Sequence, residues 1–384
     1  MLETALRGGR RYWGLIFFLL ALMGVGFIFY LKQFAYGLGI TGMSRDVSWG
    51  VYIGQFTFLV GVAASAVMVV LPYYLHNYKV FGKVTILGEF LAIPSVIMCM
   101  LFIFIDMGQP LRVLNVILHP TPNSVMFFDM IVLNGYLLLN LLVGWTVLGA
   151  ERKAMPPPAW IKPFIYLSIA WAPSIHVVTA FLYSGLPGRH FWLTAIMAAR
   201  FLASAFAAGP SLILILCLIV RKVTKFDPGK EAIQGLGKIV TYAMILNVLF
   251  LGFEFFTAFY SQIPGHMHPF TYLYAGIEGH GKLVPMMWIS SILAVVALIM
   301  LVNPATRRNE KTLAAAAGAV FISLWIDKGF GLVVGGFVPN PFEKVTEYWP
   351  TVPEAFITLG VWATGFLILT VLYKVAVSVK EETA

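Results

Sequence analysis

Hydrophobic positions along this chain gather into ten long apolar runs, at about 13–34, 50–75, 86–107, 125–148, 161–184, 193–220, 238–262, 283–302, 312–337 and 353–377. Crossing the hydrocarbon core takes ~20 apolar residues in a helix. Each run is therefore expected to be one membrane span, and the expected fold class is an all-α integral membrane protein with ten transmembrane helices. Little sequence remains between the runs, so residues 1–384 read as a single membrane domain whose soluble partners are other chains. The breaks carry ordinary punctuation. MPPPAW (155–160) is a stiff connector, KFDPGKE (225–231) a polar turn, and GLGITGMSRDVSWG (37–50) a glycine-rich lead into the second span.

The charges orient the spans. With ten spans both termini share a side, and eighteen of the 26 Lys and Arg residues fall on that side. The positive-inside rule then gives N-in, C-in. The same asymmetry accounts for the net charge of +9 through lipid headgroups, without nucleic acid. The basic start of the first span leads into an apolar run too long for a signal peptide and is expected to be an uncleaved anchor. Composition agrees: 60% of residues are hydrophobic and only 11% charged, far from the ~25% charged of soluble domains.

Six ionisable residues break the apolar runs: Asp106, Asp129, His176, Arg200, Glu254 and Asp327, the last followed by Lys328. Each charge at the bilayer centre costs roughly 2.5–3.5 kcal/mol on insertion scales. All six fall in the half of the membrane away from the termini. At 1.5 Å per residue, Asp106 is at the outer end of the third span, Asp129 one turn below the outer end of the fourth, and His176 roughly 12 Å down the fifth. These three form a ladder from the outer surface inward if their helices are neighbours. Arg200, Glu254 and Asp327–Lys328 lie at comparable depths in spans six, seven and nine, where Arg200 or Lys328 can neutralise Glu254 or Asp327. Glu89 stands apart, near the cytoplasmic end of the third span.

Imidazole and carboxylate in such a setting suit proton exchange with a quinone headgroup, which also needs hydrogen bonds to its two oxygens and an apolar slot. A proton-conducting transporter would use the same residue types. Haem held by two histidines is not expected, because only His176 of seven histidines lies well inside a span. The two cysteines, Cys99 and Cys217, are too few for an iron–sulfur cluster and lie toward opposite faces, as small core residues would. Loop histidines His266, His268 and His280 read as interfacial polar groups, and no metal site is expected.

Four segments carry a family resemblance: GLGITGMSRDVSWGVYIGQFTFLVG (37–61), FIDMGQPLRVLN (104–115), PNSVMFFD (122–129) and SIHVVTAFLYSGLPGRHFW (174–192). They resemble the NrfD/PsrC-like family of quinone-interacting membrane subunits, and the run from 174 to 211 looks closest to its DsrP branch. The resemblance implies two four-helix bundles, spans 2–5 (50–184) and spans 6–9 (193–337), with 13–34 and 353–377 as peripheral helices. It implies a menaquinone or menaquinol site in the first bundle, with His176, Asp129, Trp49 and Gln55 around the headgroup and His176, Asp129 and Asp106 handling its protons. It also implies an extracytoplasmic ferredoxin-like iron–sulfur subunit above that site, further subunits of a respiratory complex in the cytoplasmic membrane of a prokaryote, and no haem or iron–sulfur cluster on this chain. Glu89, Arg200, Glu254, Asp327 and Lys328 are then candidates for a proton pathway. A non-redox proton or ion transporter subunit is the competing expectation.

Overall fold

Lipid offers no hydrogen-bond partners, so a chain this apolar can satisfy its backbone only in helices or a closed barrel. The computed structural model, which describes residues 2–383, is helical throughout its apolar runs. Among the described residues, ten helices are long and apolar enough to cross a membrane: Arg10–Ile40, Val51–Leu75, Thr85–Asp106, Val125–Arg152, Ala159–Ser184, Met197–Val223, Lys230–Ser261, Val284–Val302, Glu310–Gly335 and Val352–Glu382. They are spans 1 to 10 below. The protein is a multi-pass membrane protein.

Most boundaries match the apolar runs within a turn. Span 7 differs, starting at Lys230 rather than near 238, because the polar-looking KEAIQGLGK segment keeps a buried stripe of Ala232, Ile233 and Leu236. Span 6 starts late, since residues 193–196 are irregular rather than helical. Span 10 opens with half of a capping box: the Thr351 amide donates to Glu354 at 2.8 Å, and the Thr351 hydroxyl also donates to it at 3.1 Å.

Spans 2, 3, 4 and 5 pack around one another in cyclic order, as do spans 6, 7, 8 and 9. Spans 2 and 5 meet span 6, and span 2 also meets span 9. Spans 1 and 10 pair, and span 10 lies along span 3. That pairing runs through two glycines: a Cβ on Gly26 would lie 2.7 Å from the Gly360 Cα, so only a side chain of hydrogen permits the approach. At the contact of spans 2 and 6, Gly209 presses on Ser65, where span 2 tightens into a 3-10 turn at Ala64–Ala66.

Span 9 holds the other irregularity. Residues Ile326–Leu332 form a π-helical turn, and this turn carries Asp327 and Lys328. Nothing in the apolar pattern announces it. π-turns are frequent at functional sites because the wider turn re-aims side chains and frees backbone carbonyls. The Leu332 carbonyl, at the end of this turn, accepts the Trp192 indole N–H at 2.8 Å as well as the Gly336 amide.

Candidate functional site

One group of polar side chains inside spans 2–5 lies in the half away from the termini, called distal here. Thr179 of span 5 donates to Asp129 of span 4 at 2.7 Å and lies equally close to its own helix's Ile175 carbonyl. One turn on, the Tyr183 hydroxyl is 2.5 Å from Thr57 Oγ1 of span 2. The Thr57 proton is committed to the Ile53 carbonyl at 2.7 Å, so Tyr183 is the donor between the two hydroxyls. Tyr183 stands edge-on to Trp49 and Trp192, with ring centroids 5.6 and 5.0 Å away, and all three pack against the distal loops.

His176 is one turn from Thr179 on span 5, fully buried, and neither ring nitrogen has a hydrogen-bond partner among the described residues. An unpartnered buried polar group costs ~1–3 kcal/mol, so two on one ring are a standing invitation to a ligand or water. The ring meets the edge of Phe206 of span 6 at 6.5 Å, which puts His176 at the boundary between the two helix groups.

The other expected residues are distributed around this pair. Trp49 is half-buried in the aromatic cluster. Gln55 is fully buried on another face of span 2, where its carbonyl accepts the indole N–H groups of Trp325 and Trp362 at 2.8 and 2.9 Å. Asp106, at the end of span 3, is within electrostatic reach of Tyr52 and Glu354. Its Oδ1 has no partner among the described residues, and it makes no hydrogen bond to Asp129 or His176. The three therefore do not form a hydrogen-bonded ladder. Glu89, nearer the termini, lines a cavity of about 10 Å³ with Tyr136, Asn140 and Ser168, roughly the space of a single water.

A second polar cluster joins spans 6, 7 and 9. Arg200 pairs with Glu254 through Nη1 and with both Asp327 oxygens, at 3.0 Å, through Nη2. The depth match read from the sequence thus becomes one guanidinium shared by two carboxylates. Lys328 turns to span 6, its Nζ 3.3 Å from the Phe201 carbonyl and 3.6 Å above the Phe201 ring. Two cations and two carboxylates leave the cluster neutral when all are ionised, which is how buried charges are tolerated. Glu254 Oε1 has no partner among the described residues.

The distal surface is built by loops folded over the spans. Residues 338–351 are largely tied down: Tyr348 is fully buried, accepts the Val51 amide and donates to Glu354. Glu343 pairs with His268 at 2.6 Å and Glu347 with His280 at 3.3 Å, so two of the three loop histidines serve to join loops. Arg189 reaches the carbonyls of Phe337 and Asp46 and covers the Phe337 ring. Burial lowers its pKa below the ordinary guanidinium value. Between these loops a depression of about 340 Å³, lined by Ser48, Trp49, Pro187 and Phe337, leads from the surface to the aromatic cluster.

The family model for polysulphide reductase, NrfD, matches residues 39–339, which covers both groups of spans and both polar clusters. The chain belongs to the NrfD family. Relatives with similar sequences span nearly its whole length. A putative dimethyl sulfoxide reductase membrane subunit of Halobacterium salinarum is 24% identical, over 94% of this chain and 89% of its own. The Hdr-like menaquinol oxidoreductase integral membrane subunit of Archaeoglobus fulgidus is 22% identical, over 97% and 94%. The menaquinone reductase integral membrane subunit of Nitratidesulfovibrio vulgaris is also 22% identical, over 93% and 89%.

Within this NrfD chain, the residues sequence reasoning passes over are the hydroxyls. Thr57, Thr179 and Tyr183 lie inside the two motif segments, 37–61 and 174–192, but carry no charge to mark them, yet they hold Asp129 and link spans 2, 4 and 5. A signal exists: His176, Thr179 and Tyr183 are spaced i, i+3, i+7, one face of a helix. Glu354 is also hidden, one more acid in a distal loop rich in them.

Proposed function

We propose that this chain is the quinone-handling membrane subunit of a respiratory complex, exchanging electrons between menaquinol or menaquinone and an iron–sulfur partner at the distal face. The observation that carries this reading is His176: a fully buried imidazole with both nitrogens unpartnered, one turn from the Thr179–Asp129 pair. A quinone headgroup fits that set, since it offers two oxygens and, when reduced, two exchangeable protons. When bound it supplies the two-electron redox chemistry. His176 would hold one oxygen by hydrogen bond, and Asp129 would take a proton across Thr179. Tyr183 and Trp49 would screen the site from the distal depression, and Asp106 would serve as an outer proton acceptor. Gln55, held by two tryptophans, would fix the register of span 2 beside the site.

Two relatives are named as menaquinol oxidoreductase and menaquinone reductase membrane subunits, which supports the quinone class and a multisubunit complex in a prokaryotic membrane. The positive-inside asymmetry supports N-in, C-in and makes the distal face extracytoplasmic. There the aromatic depression and exposed Arg45 and Arg112 offer a docking surface for a ferredoxin-like subunit. His176→Ala is expected to abolish quinol oxidation in an otherwise assembled complex. Normal turnover in that variant, or absence of quinone from the purified complex, sinks the reading.

The bare Oε1 of Glu254 favours a second role for the same chain, proton movement through Arg200, Glu254, Asp327 and Lys328, with Glu89 as the inlet from the other face. Glu254→Gln keeps the shape but removes the exchangeable charge. Turnover with a collapsed pH gradient in reconstituted vesicles supports coupling through Glu254. An unchanged gradient removes Glu254 from the path.

A further inference from the structure

Outside the first bundle, a cavity of about 280 Å³ lies between residues 190–196, which lead into span 6, span 7 and the short helix Pro264–Tyr274. Its walls are aromatic, Phe191, Phe253 and Phe270. Glu254 lines it, a side chain only 7% exposed whose Oε1 is unpartnered while Oε2 is held by Arg200. His190 and His266 line it too, with ring centroids 5.7 Å apart. Phe253, on the outer surface of span 7 where lipid would lie, and Leu193, just before span 6, are nearly half exposed, so the cavity has a sideways mouth.

These features define a ligand. A carboxylate oxygen accepts hydrogen bonds and donates none, so the molecule must present a donor to Glu254. Aromatic walls select a flat ring, and the histidines suit a second polar group on it. The lateral opening selects a molecule dissolved in the bilayer, whose tail stays among the lipids while the ring enters. A small volume, near the lower limit of ~300 Å³ for ligand pockets, admits a one- or two-ring headgroup and excludes the tail. Glycerophospholipids have no such ring. We propose that this cavity is a second site on the chain for a quinol, held in its reduced, hydroxyl-bearing form with one hydroxyl on Glu254. The ligand class rests on the quinone reading given above, but the site is separate from His176 and Asp129.

The test uses the assembled complex in vesicles under reducing, anaerobic conditions, with a short-tailed photoreactive naphthoquinol as probe. Labels are expected in residues 187–196 and 253–270, besides those near His176. Thr257, exposed at the cavity mouth, is replaced by Trp to block it without touching the charge cluster. Thr257→Trp should cut labelling of the second set at least tenfold and leave the first unchanged. Labels confined to the first bundle overturn the second site while leaving the quinone reading intact. Second-set labels that survive Thr257→Trp mark partition onto the lipid-facing surface and also overturn it. Loss of proton release in Thr257→Trp without any second-set label means that water fills the cavity, and the ligand assignment fails. No label anywhere removes both the site and the quinone reading.

Discussion

Gly54 of span 2 and Gly329 of span 9 meet backbone to backbone: a Cβ added to Gly54 would lie 2.6 Å from the Gly329 carbonyl oxygen. This contact seats the π-turn of span 9 against the first bundle and so fixes where Asp327 and Lys328 point. The relation is asymmetric, because a Cβ on Gly329 would find its nearest neighbour, the Gly54 carbonyl oxygen, at an ordinary 3.5 Å. Gly54→Ala should therefore destabilise by about 1–3 kcal/mol, the usual cost of overpacking, while Gly329→Ala should be far milder. Midpoints of thermal unfolding in detergent compare the two. Equal effects would mean that the helices separate freely and the contact sets nothing.

Arg200 carries two carboxylates with one planar group, which an ammonium cannot reproduce. Arg200→Met leaves Glu254 and Asp327 buried and unpaired, and breaking such a pair costs ~3–5 kcal/mol. The yield of assembled complex should fall sharply for Arg200→Met and clearly, though less, for Arg200→Lys. Wild-type yield from Arg200→Met would show that Lys328 alone can neutralise the cluster.

His266 lies outside the spans, and burial together with the neighbouring His190 lowers its pKa below the ordinary histidine value. Below ~6.5 an unfolded or opened segment takes up a proton that the folded one resists. The stability of this corner is therefore complete above that value and is lost as pH falls through the lowered pKa. Hydrogen-exchange protection in residues 263–274, relative to the intrinsic exchange rate at each pH, should fall between pH 7.5 and pH 5. His266→Gln should flatten that dependence, and an unchanged pH response in the variant would assign it to another group.

Much of this is legible in the chain itself, for definite reasons. Spans are long and lipid demands helices, so ten apolar runs become ten helices. Depth along a helix is simple counting, so Arg200, Glu254 and Asp327 match in height on the sequence, and their ion pairing follows. What counting cannot supply is azimuth. Gln55 and Thr57 are two residues apart and face different neighbours, which hydropathy alone does not reveal. Asp106 makes no hydrogen bond to Asp129 and lies within electrostatic reach of Tyr52, Tyr183 and Glu354. The π-turn at Ile326–Leu332 and the inward fold of residues 338–351 depend on contacts between segments far apart in sequence, Trp192 with Leu332 and Tyr348 with Val51.

Thr179 gives the sharpest test of the first-bundle site. Its hydroxyl has one proton and two acceptors at 2.7 Å, the Asp129 carboxyl and the Ile175 carbonyl. With Asp129 ionised, the proton points at the carboxylate. With Asp129 protonated, the carboxyl becomes a donor, and Thr179 can accept from it while turning its own proton to Ile175. The hydroxyl thus satisfies both protonation states without moving a helix, which suits a group that must take and release protons in turnover. Thr179→Val preserves shape but removes both roles. A hydrogen bond to a charged group is worth ~1.5–3 kcal/mol, so quinol oxidation should fall by about one to two orders of magnitude, with assembly intact and the pH–rate profile altered. Thr179→Ser restores the hydroxyl and should recover most of the rate. A valine variant with normal turnover and a normal profile would leave Asp129 as a structural acid only.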